Sequence, residues 1–144
     1  MEWMKDDFIV TDSVKNIDLE FICQSLNSTY WAKERSKETI EKSIANSVFL
    51  SVFKDNRQIG FSRIVTDNST FAWICDVYID PSFRGEKLGV WLMKCTLEHP
   101  ACRVKMNLLA TKDAHGLYEK FGFGTKECMR RDGTNIVQVK KAGI

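Results

Sequence analysis

Three consecutive runs in the middle of the chain constrain its fold most. "VFLSVF" from Val48, "RQIGFSRIVT" from Arg57 and "TFAWICDVYI" from Thr70 are rich in β-branched and aromatic residues. Polar turn residues separate them, Lys54-Asp55-Asn56 and then Asp67-Asn68-Ser69. Gaps this short let neighbouring strands only reverse, because a parallel pair needs a crossover of about a dozen residues or more. The runs predict an antiparallel meander.

Upstream, "FIVTD" reads as a short first strand. In "IDLEFICQSL", Ile17, Leu19, Phe21, Ile22 and Leu26 fall near helical spacing, and Asp18 and Glu20 suit the positive helix end. "SKETIEKSIANS" is a second helix with Ser36 as its cap. Downstream, "EKLGVWLMKCTLEH" is a helix stopped by Pro100. "CRVKMNLLAT" is a strand, and "KDAHGLYEKF" a short helix that Gly122 terminates. "GFGTKECMR" and "NIVQVKK" close the chain as two strands around Asp132-Gly133. The order β-α-α-β-β-β-α-β-α-β-β describes an α/β (α+β) layered fold, with a mixed, mostly antiparallel sheet flanked by helices. With 144 residues, one domain spanning 1–144 is expected.

Composition excludes several classes. A formal net charge of +2 is too small to point to nucleic acid or an anionic membrane. Cys23, Cys75, Cys95, Cys102 and Cys128 are odd in number and lack a C-x-x-C spacing, and only His99 and His115 accompany them. Neither a disulfide framework nor a zinc site fits. Reduced thiols in a cytoplasmic protein fit better. The acidic start "MEWMKDDFIV" shows no signal peptide, and no apolar run approaches the ~18 residues of a membrane span. The expected partner is a small molecule or peptide, with neither nucleic acid nor membrane nor metal, and the expected assembly a monomer or homodimer.

Chemistry enters at "FRGEKLG", Phe83 to Gly89, between the third meander strand and the following helix. Turn amides and the unpaired first-turn N–H groups of a helix make an anion site. Gly85 and Gly89 allow close approach, and Arg84 adds a charged fork. The stretch is neither a Walker loop nor G-x-G-x-x-G. A plain strand-to-helix turn with solvated Arg84 and Lys87 is the competing reading.

The block "DVYIDPSFRGEKLGVWLM" resembles the acyl-coenzyme-A-binding motif of the GNAT acetyltransferases, an R-G-x-G-x-G type loop after a strand ending in V-x-P. Ile79-Asp80-Pro81 matches the strand end, and Arg84, Gly85 and Gly89 match the loop. Lys87 stands where the family has its central glycine. "LLATKDAHGLYEKFGF" resembles the family's final signature through Ala114, Leu117, Tyr118, Gly122 and Phe123. The resemblance covers the chain from about Val48 onward. It implies acetyl-coenzyme A as donor and a primary amine as acceptor. It also implies a coenzyme held by Val77, Tyr78 and Ile79 at the strand end, by Arg84, Gly85, Glu86, Lys87, Leu88 and Gly89 in the loop, and by Thr111.

Acetyl transfer to an amine makes its own demands. A lysine-like amine, with a pKa near ~10.4, must lose a proton before it attacks. The attacked carbonyl needs a fixed donor, and the departing thiolate leaves more easily when protonated. The resemblance makes Tyr118 that acid, against a plain packing role. Asp76 lies mid-strand, so its carboxylate either has a partner or faces a wet cleft. It is the candidate to bind or deprotonate the amine, against a structural hydrogen bond. Strict alternation puts Asp76, Tyr78 and Asp80 opposite Cys75, Val77 and Ile79. Cys75 in an apolar strand reads as inert packing, Asp80 as a turn residue and His115 as a surface or capping residue. The family's acceptor wall corresponds to "LNSTYWAKERS", where Tyr30 and Trp31 could hold an apolar or cationic acceptor or plug the helix junction. The rival functions are a coenzyme-A-binding module without catalysis, which Lys87 keeps open, and protein lysine acetylation.

Overall fold

The meander forms as its turns dictate. In the computed structural model, which describes residues 1–131, β3 (Val48–Lys54), β4 (Arg57–Thr66) and β5 (Phe71–Ile79) run antiparallel in sequence order. Asp55 and Asn56 both take positive φ, 48° and 63°, as a two-residue hairpin that matches strand twist requires. Asp67 tightens the next turn by accepting from the Ser69 and Thr70 amides at 2.9 and 2.8 Å.

Around the meander stand β1 (Glu2–Lys5), β2 (Phe8–Thr11), α1 (Leu19–Asn27), α2 (Lys37–Ala45), α3 (Leu88–Glu98), β6 (Met106–Leu108) and α4 (His115–Glu119). Among the described residues six strands make one sheet ordered β1-β2-β3-β4-β5-β6, and only β6 pairs in parallel. The mixed, mostly antiparallel sheet with flanking helices is the architecture expected. The chain divides into two compact units, Met1–Thr111 and Lys112–Ile144. The sheet with α1 to α3 lies in the first, and α4 in the second.

Local chemistry sets the helix starts. Asp18 accepts from the Phe21 amide at 3.0 Å and Ser36 from the Thr39 amide at 3.2 Å, so both are N-caps. One face of the sheet packs against α1 and α2 through Ile22, Leu26, Ile40, Phe49, Phe61 and Tyr78. Phe61 stacks on Phe49 and Tyr78 at centroid distances of 5.5 and 5.4 Å. α3 packs on β4 and β5, with Leu92 and Met93 fully buried and a buried hydroxyl contact of 2.8 Å between Ser62 and Thr96. Each fully buried aliphatic side chain contributes ~1.5–3 kcal/mol.

Three expectations need correction or bounding. The N-terminal segment is a hairpin turning at Asp6 (φ 52°) rather than one strand. The strand expected over 102–111 is regular only over Met106–Leu108, because Pro100–Cys102 forms a short 3-10 turn. No strand is described within 124–131, and the expected partner strand "NIVQVKK" with Asp132-Gly133 lies outside the described residues.

Candidate active site

β5 and β6 part company early. Their ladder covers Phe71–Trp73 against Met106–Leu108, and beyond it the β6-facing edge of β5 has no strand partner among the described residues. The other edge remains paired to β4, with Phe61 opposite Tyr78 and Gly60 opposite Ile79. Bonds alternate edges along a strand, and the Asp80 amide donates to the Ile59 carbonyl of β4, so Tyr78 also bonds toward β4 and Val77 and Ile79 turn their backbone groups to the open edge. Tyr78 itself is buried under Phe61 and Phe21.

At the end of this edge the chain turns into α3. Asp80 caps the 3-10 turn Pro81–Phe83, accepting from the Ser82 amide at 2.9 Å and from the Ser82 hydroxyl. That hydroxyl holds the Asp80 carboxyl below the ordinary value, against the opposing effect of burial. Asp80 is therefore the turn residue expected. Arg84 folds back, donating from Nε to the Ile79 carbonyl at 3.0 Å with its guanidinium 5.5 Å from the Tyr78 ring centre. Gly85 then takes φ 90°, and Lys87 takes φ 58° and ψ 22° as the residue preceding α3. Lys87 supplies no side-chain cap, and the first intrahelical bond runs from the Trp91 amide to the Lys87 carbonyl at 3.1 Å. The Leu88, Gly89 and Val90 amides are thus left over, whereas α1 and α2 are capped by side chains. A Cβ placed at Gly85 or Gly89 would meet nothing within 4 Å. Among the described residues nothing fills the side-chain space at these two glycines, and the amide donors suit a phosphate or pyrophosphate. Glu86 and Lys87 are exposed beside it.

Asp76 sits in a β-bulge. Phe61 pairs with Tyr78 and Arg63 with Cys75, so two residues of β5, Asp76 and Val77, stand opposite Ser62 alone. This overturns the strict alternation read from the sequence. Phe61 and Arg63 share a face of β4, and residues directly opposite share a face, so Cys75 and Tyr78 lie on the same side. Asp76 carries φ 52°, a left-handed conformation that aspartate tolerates better than most residues. Its side chain is 2% exposed. Oδ2 accepts from Arg35 Nη1 and Arg63 Nε, each at 2.8 Å, and Oδ1 accepts from Trp31 Nε1 at 3.2 Å. Arg63 Nη1 also donates to Ser47 Oγ at 3.1 Å.

The α1–α2 connection therefore reaches β5 through Trp31 and Arg35. Tyr30 and Trp31 pack edge to face at 5.2 Å and are 56% and 43% exposed, so they do not plug the helix junction. Burial pushes the Cys75 thiol up to about 11, which suits packing and not nucleophilic attack. Sequence reasoning missed Arg35 and Arg63. A mid-strand cation on β4 beside a mid-strand carboxylate on β5 was a usable signal for Arg63. Arg35, in an irregular connection, gave none.

The second unit is described by itself. Tyr118 lies in α4, half-buried, with Phe123 edge-on at 6.3 Å. Gly122 takes φ 85° just past the helix, as a helix terminator should. His115 is exposed at the start of α4, and Thr111, ending the first unit, is half-buried. Among the described residues no cluster of His, Cys, Asp or Glu could hold a metal ion.

Comparison with known proteins agrees with this geometry. The sequence profile of the acetyltransferase (GNAT) domain matches residues 45–125. The chain is 31% identical over 126 residues to an uncharacterized N-acetyltransferase of Porphyra purpurea, covering 83% of this chain and 71% of that protein. A crystal structure of a Xanthomonas campestris protein assigned to the GNAT acetyltransferases superposes with a TM-score of 0.84 at 31% identity, covering 90% of this chain and 95% of that one. A GNAT-family protein of Streptococcus pneumoniae, at 20% identity and TM-score 0.65, covers 88% of this chain and 97% of its own and shares the fold.

Proposed function

Because the chain belongs to the GNAT acetyltransferase family, we propose that it transfers an acetyl group from acetyl-coenzyme A to a primary amine of a small molecule or peptide by direct attack. The observation that carries this reading is the uncapped start of α3 behind Gly85 and Lys87, with open space where side chains would otherwise stand. Bound acetyl-coenzyme A supplies an activated acetyl thioester. The Leu88, Gly89 and Val90 amides and the α3 dipole would receive its pyrophosphate, with Arg84 adding charge. The open edge at Val77 and Ile79 would pair with its amide-bearing arm as a strand does, with Thr111 as a further contact that the family motif implies.

Tyr118 Oη, in the role that the family motif implies, would supply the proton that neutralises the departing thiolate, whose free thiol has a pKa near ~8.5, and the proton shed by the amine would pass to water. Asp76 serves as a positioning residue. Its oxygens already accept from three protein donors, so it fixes Trp31 and Arg35 at the acceptor wall and does not take the amine's proton.

Gly89→Val tests the cradle. Valine is a somewhat better helix former than glycine, and its side chain has room in the free protein, so folding should survive. Acetyl-coenzyme A affinity, measured by calorimetric titration, should fall by about tenfold or more, or ~1.4 kcal/mol. An unchanged affinity would remove the pyrophosphate from this loop.

A further inference from the structure

We infer that the acceptor amine also carries an anionic group, a carboxylate or a phosphate, which Arg35 and Arg63 receive beside Asp76; this rests on the acetyltransferase reading and names its substrate class. The charges do not balance within the cluster. Two guanidiniums converge on a single carboxylate oxygen, Asp76 Oδ2, which leaves one positive charge over. The surplus is largely shielded from water, since the side chains of Arg63 and Arg35 are only 14% and 22% exposed. Sequestered charge is costly unless paired.

The donors do not balance either. Each guanidinium has five N–H groups in a fixed fork. Arg63 uses Nε on Asp76 and Nη1 on Ser47, and Arg35 uses Nη1 on Asp76. Among the described residues, Arg35 Nε and Nη2 and Arg63 Nη2 have no protein acceptor. A planar carboxylate or a phosphate matches such a fork in charge and shape. Asp76 holds the two arginines at the bulge and leaves their surplus for a ligand. Trp31, bonded to the same carboxylate and packed against Tyr30, offers an apolar face alongside. An acceptor anchored here by its anion presents its amine from a fixed distance, which makes the cluster a specificity device.

The test compares matched amines in a thiol-release assay: an α-amino acid with its amide, and an amino sugar with its 6-phosphate. The anionic member of at least one pair should show a kcat/KM about 10- to 100-fold higher, mostly through KM, the scale of a charge-assisted hydrogen bond. The pair that responds identifies the anion. Arg35→Gln leaves one guanidinium for one carboxylate and should abolish the preference. Arg35→Lys should restore it only in part, because an ammonium lacks the fork. Thermal stabilisation by acetyl-coenzyme A checks that both variants are folded. With acetyl-coenzyme A saturating, acetate or inorganic phosphate should compete with the amine on the wild-type enzyme. Equal use of anionic and neutral amines, or no competition by either anion, overturns the inference while leaving acetyl transfer intact. Failure to acetylate any amine overturns both.

Discussion

Lys87 holds φ 58° at the residue from which α3 departs, where a side chain costs ~1–2 kcal/mol relative to right-handed backbone. Nothing in its own side chain offsets this by capping the helix. Lys87→Gly removes the penalty but also loosens the unfolded chain, which takes back ~0.4–1 kcal/mol. The melting temperature should therefore hold or rise by a few degrees, and acetyl-coenzyme A affinity should hold or tighten. A clear loss of affinity would instead make the ammonium a phosphate contact, a substitution of charge for close backbone approach. Tyr118 makes the second prediction at this scale. Tyr118→Phe keeps the ring that faces Phe123 and deletes only the hydroxyl. Turnover should drop by roughly 10²-fold or more, the scale of losing a general acid, while coenzyme affinity changes little. An activated thioester, whose leaving group needs no proton, should restore much of the rate. Equal slowness on both donors would mark Tyr118 as a positioning residue.

The bulge in β5 governs the site among the elements. It breaks the alternation of the strand, places Asp76 in left-handed backbone, and ties the α1–α2 connection to the sheet through Trp31 and Arg35. Asp76→Asn tests this, because asparagine also tolerates positive φ and the change removes only charge. Two guanidiniums are then left unopposed, and stability should fall by ~1–3 kcal/mol, below the full cost of breaking a buried pair because Arg35 is partly exposed. Turnover should fall and the acceptor KM rise, with coenzyme affinity spared. Normal acceptor kinetics would confine Asp76 to stability. The bulge also shows where sequence reading stopped. A costly mid-strand carboxylate announced that Asp76 needed a partner, but period two gave no sign of the extra residue that brings Cys75 and Tyr78 to the same side. Local chemistry read well wherever one residue decides the outcome, as with the Ser36 cap, the Asp55-Asn56 hairpin and the Gly122 stop. It read poorly where pairing across the chain decides, as with β1 and the short β6.

At the scale of the molecule, the meander flanked by helical segments was legible because turn length leaves adjacent strands one way to pair. Function was legible because two motifs follow one another along the chain in the family's order, and the family match over residues 45–125 spans both. The acceptor was not legible, since its anchors lie on an irregular connection and on a neighbouring strand. Among the described residues no helix is long and apolar enough to cross a membrane, and the net charge of +2 gives no strong field to draw in polyanions. The account rests on a chain that binds acetyl-coenzyme A at α3 and gives its acetyl group to an amine. The most direct measurement follows free thiol release from acetyl-coenzyme A by the wild-type protein across a panel of primary amines. The account predicts release that depends on the amine, saturates with it and matches the acetylated amine formed mole for mole. Saturable acetyl-coenzyme A binding with no amine-dependent release from any member would contradict it and leave a coenzyme-binding module on an acetyltransferase fold.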